Sequence, residues 1–96
     1  MSIRILMDAF DRAVEGAAEK LVLLTIADFA NDRGECYPSY KTMAARCSMT
    51  VSEIRTALRK LQLQGFVVVE KRLDKRGGQT NFYTVMLPSK NGRIES

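Results

Sequence analysis

The sequence predicts a mainly α-helical domain closed by a β-hairpin, a core of three helices followed by two strands, and three observations carry that expectation. Thr50 to Leu61 bears two stripes at helical spacing that point almost opposite ways, Ile54, Ala57, Leu58 and Leu61 on one side and Ser52, Arg55, Thr56 and Arg59 on the other. Just upstream, Tyr40, Met43, Ala44 and Cys47 repeat the apolar spacing, with only Ser48 and Met49 before Thr50. Further on, the β-rich runs Phe66–Arg72 and Thr80–Met86 are joined by the basic, glycine-containing segment Leu73–Gln79, as in a hairpin.

Ile3, Leu6, Met7 and Phe10 fit either an amphipathic helical turn or a short strand, and periodicity over so few residues leaves both open. Ala17 to Ala30 is apolar on most sides, free of Gly and Pro and too long for an ordinary strand, which predicts a central, largely buried helix. Asn31, Asp32 and Gly34 end it, and Glu35 to Tyr37 form a short extended piece before Pro38. Ser39 is suited to cap the second helix, Tyr40 to about Cys47. Thr50 and Glu53 have the spacing of a capping box, in which each side chain satisfies a free backbone N–H at the start of the third helix. Gly65 supplies its stop, leaving about four turns, or roughly 21 Å.

Ninety-six residues make one domain, expected over residues 1–87, with a polar tail at 88–96. With 46% hydrophobic and 27% charged residues the composition is that of an ordinary globular chain, and no stretch is long enough to cross a bilayer. No basic segment followed by an apolar run begins the chain, so a cytoplasmic location is expected. There is no histidine and there are two cysteines, Cys36 and Cys47, which removes the usual zinc ligand sets and most catalytic triads. No enzyme, metal, cofactor or small-molecule ligand is therefore expected. A disulfide is not expected either, because Cys47 sits on the apolar stripe of its helix. Met7, Met43, Met49 and Met86 read as core fillers, and so do Phe29, Phe66, Phe82 and Tyr83.

The net charge of +4 is unevenly spread: residues 1–38 hold four basic and seven acidic side chains, whereas residues 39–80 hold nine and three. Positive charge is thus concentrated on the helix pair and the hairpin, which points toward a polyanion. Three helices followed by a hairpin, with the third helix exposing a basic stripe, resemble a winged helix-turn-helix. Met43, Ala44, Cys47, Met49, Ile54 and Ala57 occupy the spaced apolar positions of that motif. Ser48 departs from it, standing where the family usually has a glycine, and predicts either a strained left-handed serine or a slightly opened turn, at a cost of about 1 kcal/mol. The segments Leu21–Asp32, Gly34–Ser39 and Leu61–Val67 are also similar to helix-turn-helix domains of phage and plasmid replication proteins, of the phage replication protein O amino-terminal type, and to small prophage regulators.

The resemblance implies double-stranded DNA as partner, in replication initiation or transcriptional regulation, with the third helix in the major groove. Ser52, Arg55, Thr56 and Arg59 are then the expected base-contacting residues, with Thr50, which the cap already explains, as the weakest of the set. Expected phosphate contacts are Ser39, Tyr40 and Lys41 at the start of the second helix, Lys60 on the third, and Lys71, Arg72, Lys75 and Arg76 on the hairpin. Core packing explains Tyr40 equally well. A homodimer is a further expectation, because one short helix reads few base pairs, and Ile3 to Phe10 is its candidate surface. The alternative is a protein–protein interaction module on the same scaffold, since a fold does not dictate its use.

Overall fold

The computed structural model describes residues 3–86 apart from Asp74. The polar tail expected at 88–96 lies outside the described residues. In chain order the elements are α1 (Ile3–Phe10), α2 (Ala17–Phe29), β1 (Glu35–Cys36), α3 (Tyr40–Cys47), α4 (Val51–Leu63), β2 (Val67–Leu73) and β3 (Gln79–Val85). The segment that periodicity left open is a helix. Lys20 explains part of this from a distance, since its ammonium donates to the carbonyls of Phe10 (2.5 Å) and Arg12 (2.6 Å) at the end of α1, where the Asp8 and Ala9 carbonyls accept from the N–H groups of Asp11 and Arg12.

α2 is the central helix, as expected, and packs against α1, α3, α4 and β1. Val22, Leu23, Ile26 and Ala27 are fully buried and form one cluster with Met43, Cys47, Ile54, Ala57, Leu58, Leu61, Phe66, Val67, Tyr83 and Val85. The apolar stripes of both α3 and α4 thus enter a single core. Each buried aliphatic or aromatic side chain of this kind contributes about 1.5–3 kcal/mol relative to exposure.

The turn after α2 ends on Gly34 at φ +80°, where an added Cβ would lie 3.0 Å from the Val85 carbonyl oxygen. Both the backbone conformation and the close approach exclude a side chain there. Through this turn β1 reaches β3, with Glu35 opposite Thr84 and Cys36 opposite Tyr83. The short extended piece is therefore a sheet strand, and the expected two-stranded hairpin is a three-stranded antiparallel sheet of order β1-β3-β2. β2 and β3 pair from Val67↔Val85 to Leu73↔Gln79. Because alternate residues share a face, Val67, Val69, Tyr83 and Val85 turn toward the helices while Val68, Glu70, Arg72, Phe82 and Thr84 turn away.

That alternation corrects one reading, since Phe82 is only half-buried and belongs to the outer face rather than the core. Met7 and Met86 are also exposed, so core filling holds for Met43 and, in part, Met49. Cys36 and Cys47 are buried free thiols; burial pushes the Cys36 pKa up to about 12, and Cys47 lies 3.1 Å from the Thr25 hydroxyl.

α3 and α4 both end on Schellman turns. After α4, the N–H of Gly65 donates to Gln62 O and that of Phe66 to Leu61 O, with Gly65 at φ +81°. After α3, the N–H groups of Ser48 and Met49 make the same two bonds, to Ala45 O and Ala44 O, but the left-handed residue is Ser48, at φ 55° and ψ 44°. Ser48 is the one non-glycine residue with positive φ among those described. Ser48→Gly is accordingly expected to stabilise the domain by about 0.5–1 kcal/mol, raising Tm by a few degrees in thermal denaturation. An unchanged or lower Tm would mean that the turn is not strained.

Candidate functional site

α4 displays the two faces that its sequence predicts. Ile54, Ala57, Leu58 and Leu61 are buried, whereas Ser52, Arg55, Thr56 and Arg59 are exposed. The start of the helix is held by the capping box, in which Glu53 N donates to Thr50 Oγ1 at 3.1 Å and Thr50 N to Glu53 Oε1 at 2.8 Å. Hydrogen bonding to Thr50, its backbone N–H foremost and its side chain second, holds the Glu53 carboxyl below its ordinary pKa of 4.5. Thr50 is thus committed to the cap. The Thr56 hydroxyl donates to Ser52 O at 3.1 Å, which leaves its lone pairs directed at solvent.

α3 presents its amino end alongside. Ser39 caps it, accepting from Thr42 N at 3.0 Å and donating to Thr42 Oγ1 at 2.9 Å. Tyr40 is half-buried against the core, and the Arg55 guanidinium stands 5.3 Å from the centre of its ring. A cation over an aromatic face is weakly attracted, so Arg55 is oriented by Tyr40 while staying exposed. Lys41 is exposed and Lys60 half-buried.

The hairpin brings Lys71 to the same place. The pair Lys71↔Asn81 continues the inner face of the sheet beyond the core. There a groove of about 810 Å³ opens between hairpin and helices, lined by Tyr37, Pro38, Ser39, Tyr40, Arg55, Lys71, Gln79, Thr80 and Asn81. Lys75 and Arg76 are exposed at the hairpin tip. Arg72 is more committed, with its guanidinium 3.9 Å from the Phe82 ring centre and 3.6 Å from Glu70. Arg46, a peripheral cation, pairs with Asp28 at 2.7 Å and lies over Phe29.

The structure therefore gathers Ser39, Tyr40, Arg55 and Lys71 around one groove, with Ser52, Thr56 and Arg59 farther along the exposed face of α4. Lining residues that sequence reasoning did not select are Tyr37, Gln79, Thr80 and Asn81. No local signal marks them, because the pairing of β1 with β3 is what puts Tyr37 beside the hairpin. Among the described residues no group of three or more His, Cys, Asp or Glu could hold a metal ion, and no helix is long and apolar enough to cross a membrane.

A pair of short helices crossed through a tight turn, with a three-stranded sheet and wing attached, is the winged helix-turn-helix class of fold. The chain belongs to the helix-turn-helix domain family, whose match spans residues 16–67, from the start of α2 to the first residue of β2. Protein YmfN of Escherichia coli (strain K12) is 35% identical over 51 residues, which are 53% of this chain and 11% of that protein. The chain thus spans about a tenth of that relative's length. A solved structure described as a possible transcriptional regulator from Methanosarcina mazei Go1 is similar with a TM-score of 0.56, over 95% of this chain and 69% of that one. At 16% identity that likeness shows the shared fold.

Proposed function

We propose that this chain is a non-enzymatic, double-stranded DNA-binding protein that reads a short site with α4 and a basic wing. The observation that carries the reading is the solvent-facing row Ser52, Arg55, Thr56 and Arg59 on a helix whose opposite face is wholly committed to the core. A helix of this size fits the major groove, where each base pair presents its own pattern of donors and acceptors. Arg55 is the residue for a bidentate contact to guanine, worth about 1–3 kcal/mol of discrimination, with Ser52, Thr56 and Arg59 beside it and Thr50 at the helix start. Ser39, Tyr40, Lys41, Lys60, Lys71, Arg72, Lys75 and Arg76 contact phosphates and set register without reading sequence.

Residues 1–87 form the binding unit, acting in the cytoplasm as a regulator of transcription or as an initiator of phage- or plasmid-type replication. The description of the structural relative favours the regulator. The proposal includes a homodimer, whose surface is the stripe Ile3, Met7 and Phe10 of α1, 67%, 64% and 57% exposed.

Selection of bound sequences from a random duplex library tests this reading. A short enriched motif is expected, palindromic for the homodimer. Arg55→Ala is expected to flatten the preference among sequences, and Lys75→Ala to weaken all sequences alike. Absence of enrichment would instead favour a protein–protein interaction module on the same scaffold.

A further inference from the structure

Tyr37 is 67% exposed, yet it is a held side chain rather than a loose one. Its ring lies 5.6 Å from that of Phe82, centre to centre, at an interplanar angle of 16°. Phe82 in turn carries the Arg72 guanidinium 3.9 Å from its ring centre. The backbone beneath is anchored too, since Cys36 pairs with Tyr83 on one side and Pro38 keeps residue 37 out of the helical region on the other. The molecule thus holds a large aromatic ring in water at a defined tilt, with a second ring and a cation behind it.

Such a ring is a stacking surface for a nucleobase, because every base has a π face and stacking needs no particular sequence. Its surroundings suit the rest of a nucleotide. The groove that Tyr37 shares with Ser39, Arg55, Lys71, Thr80 and Asn81 has two cations and no carboxylate in its lining. Glu35 lines the other cleft beside Tyr37, the one formed with Phe29, Asn31 and Thr42. A phosphodiester next to a base on Tyr37 is therefore attracted to the Arg55 and Lys71 side and repelled from the Glu35 side.

We infer that Tyr37 stacks an unpaired base of DNA at the edge of the bound duplex, with the adjoining phosphate toward Lys71 on the cationic side of the groove. The inference rests on the duplex-binding reading and adds to it a preference for a duplex next to a melted or single-stranded segment. A free nucleotide has the same chemistry and is separated from this source by the test.

The experiment compares a blunt duplex with the same duplex carrying a short single-stranded overhang whose first unpaired base is 2-aminopurine. The overhang is expected to tighten binding about tenfold and to quench the probe. Tyr37→Ala should abolish both effects, bringing the ratio of overhang to blunt-duplex affinity to about one, while Tyr37→Phe retains both. Equal affinity for the two duplexes, or a gain that survives Tyr37→Ala, overturns the inference while leaving duplex binding intact. Failure to bind the blunt duplex, with Tyr37-dependent quenching preserved, would sink the duplex reading and with it the placement at a duplex edge, assigning the ring to single-stranded DNA alone. Adenosine monophosphate that binds in a Tyr37-dependent way, with no gain from the overhang, would assign the ring to a free nucleotide and overturn the inference.

Discussion

Raising monovalent salt from about 50 to about 200 mM is expected to weaken binding of a short duplex by about 300- to 1000-fold, from the counterions released by four to six neutralised phosphates. The number of phosphates follows from which cations are available. Of the cations proposed for phosphates, Lys41, Lys71, Lys75 and Arg76 are exposed and Lys60 is half-buried on the α3, α4 and wing side, while Arg72 is shared between Phe82 and Glu70. The logarithm of affinity should then fall against the logarithm of salt with a slope of about −4 to −5. Fluorescence anisotropy of a labelled duplex across that salt range reads the slope directly. A slope near zero would remove the phosphate contacts and with them the proposed orientation of the wing.

The two faces of α4 should separate stability from binding. Ile54 is fully buried, so Ile54→Ala is expected to cost about 2–5 kcal/mol, a large share of the stability of a domain this small. Thermal melting should show a Tm lower by at least about 10 °C. If that variant fails to fold, Ile54→Val, expected to cost about 0.5–1.5 kcal/mol, keeps the comparison measurable. Arg59→Ala, on the exposed side of the same helix, is expected to leave Tm within a degree or two and to lower duplex affinity several-fold. An Arg59→Ala variant that unfolded, or one that bound as tightly as the parent, would contradict the division of labour between the faces.

What the sequence made legible was mostly local. The capping box of Thr50 and Glu53, the stop at Gly65 and the opposed stripes of α4 all lie within a few turns of one another, so spacing alone locates them. The motif limits Ser48 to a left-handed residue or an opened turn, and the structure has the first, with both Schellman hydrogen bonds kept. By contrast, α1 is too short for its periodicity to separate helix from strand, and its end is satisfied by Lys20 on another element. β1 spans two residues, and its partner strand comes much later in the chain.

The same distinction governs the candidate site. The exposed row on α4 is a property of one helix and could be read from phase. The contact of Arg55 with Tyr40, the arrival of Lys71 beside them and the stacking of Tyr37 on Phe82 join elements that are remote in sequence. Phe82 illustrates the cost of reading residue type without face. Its aromatic character suggested core, but alternation along β3 gives the interior to Tyr83 and Val85 and turns Phe82 outward.

The most direct test of the central claim is a titration of isotopically labelled protein with a duplex carrying the selected site, followed by amide chemical shifts. Shifts are expected along Ser52, Arg55, Thr56 and Arg59, at the start of α3 and at the hairpin tip. Perturbation confined to α1, or none at all under saturating duplex, would contradict the claim that this face of α4 and the wing hold DNA.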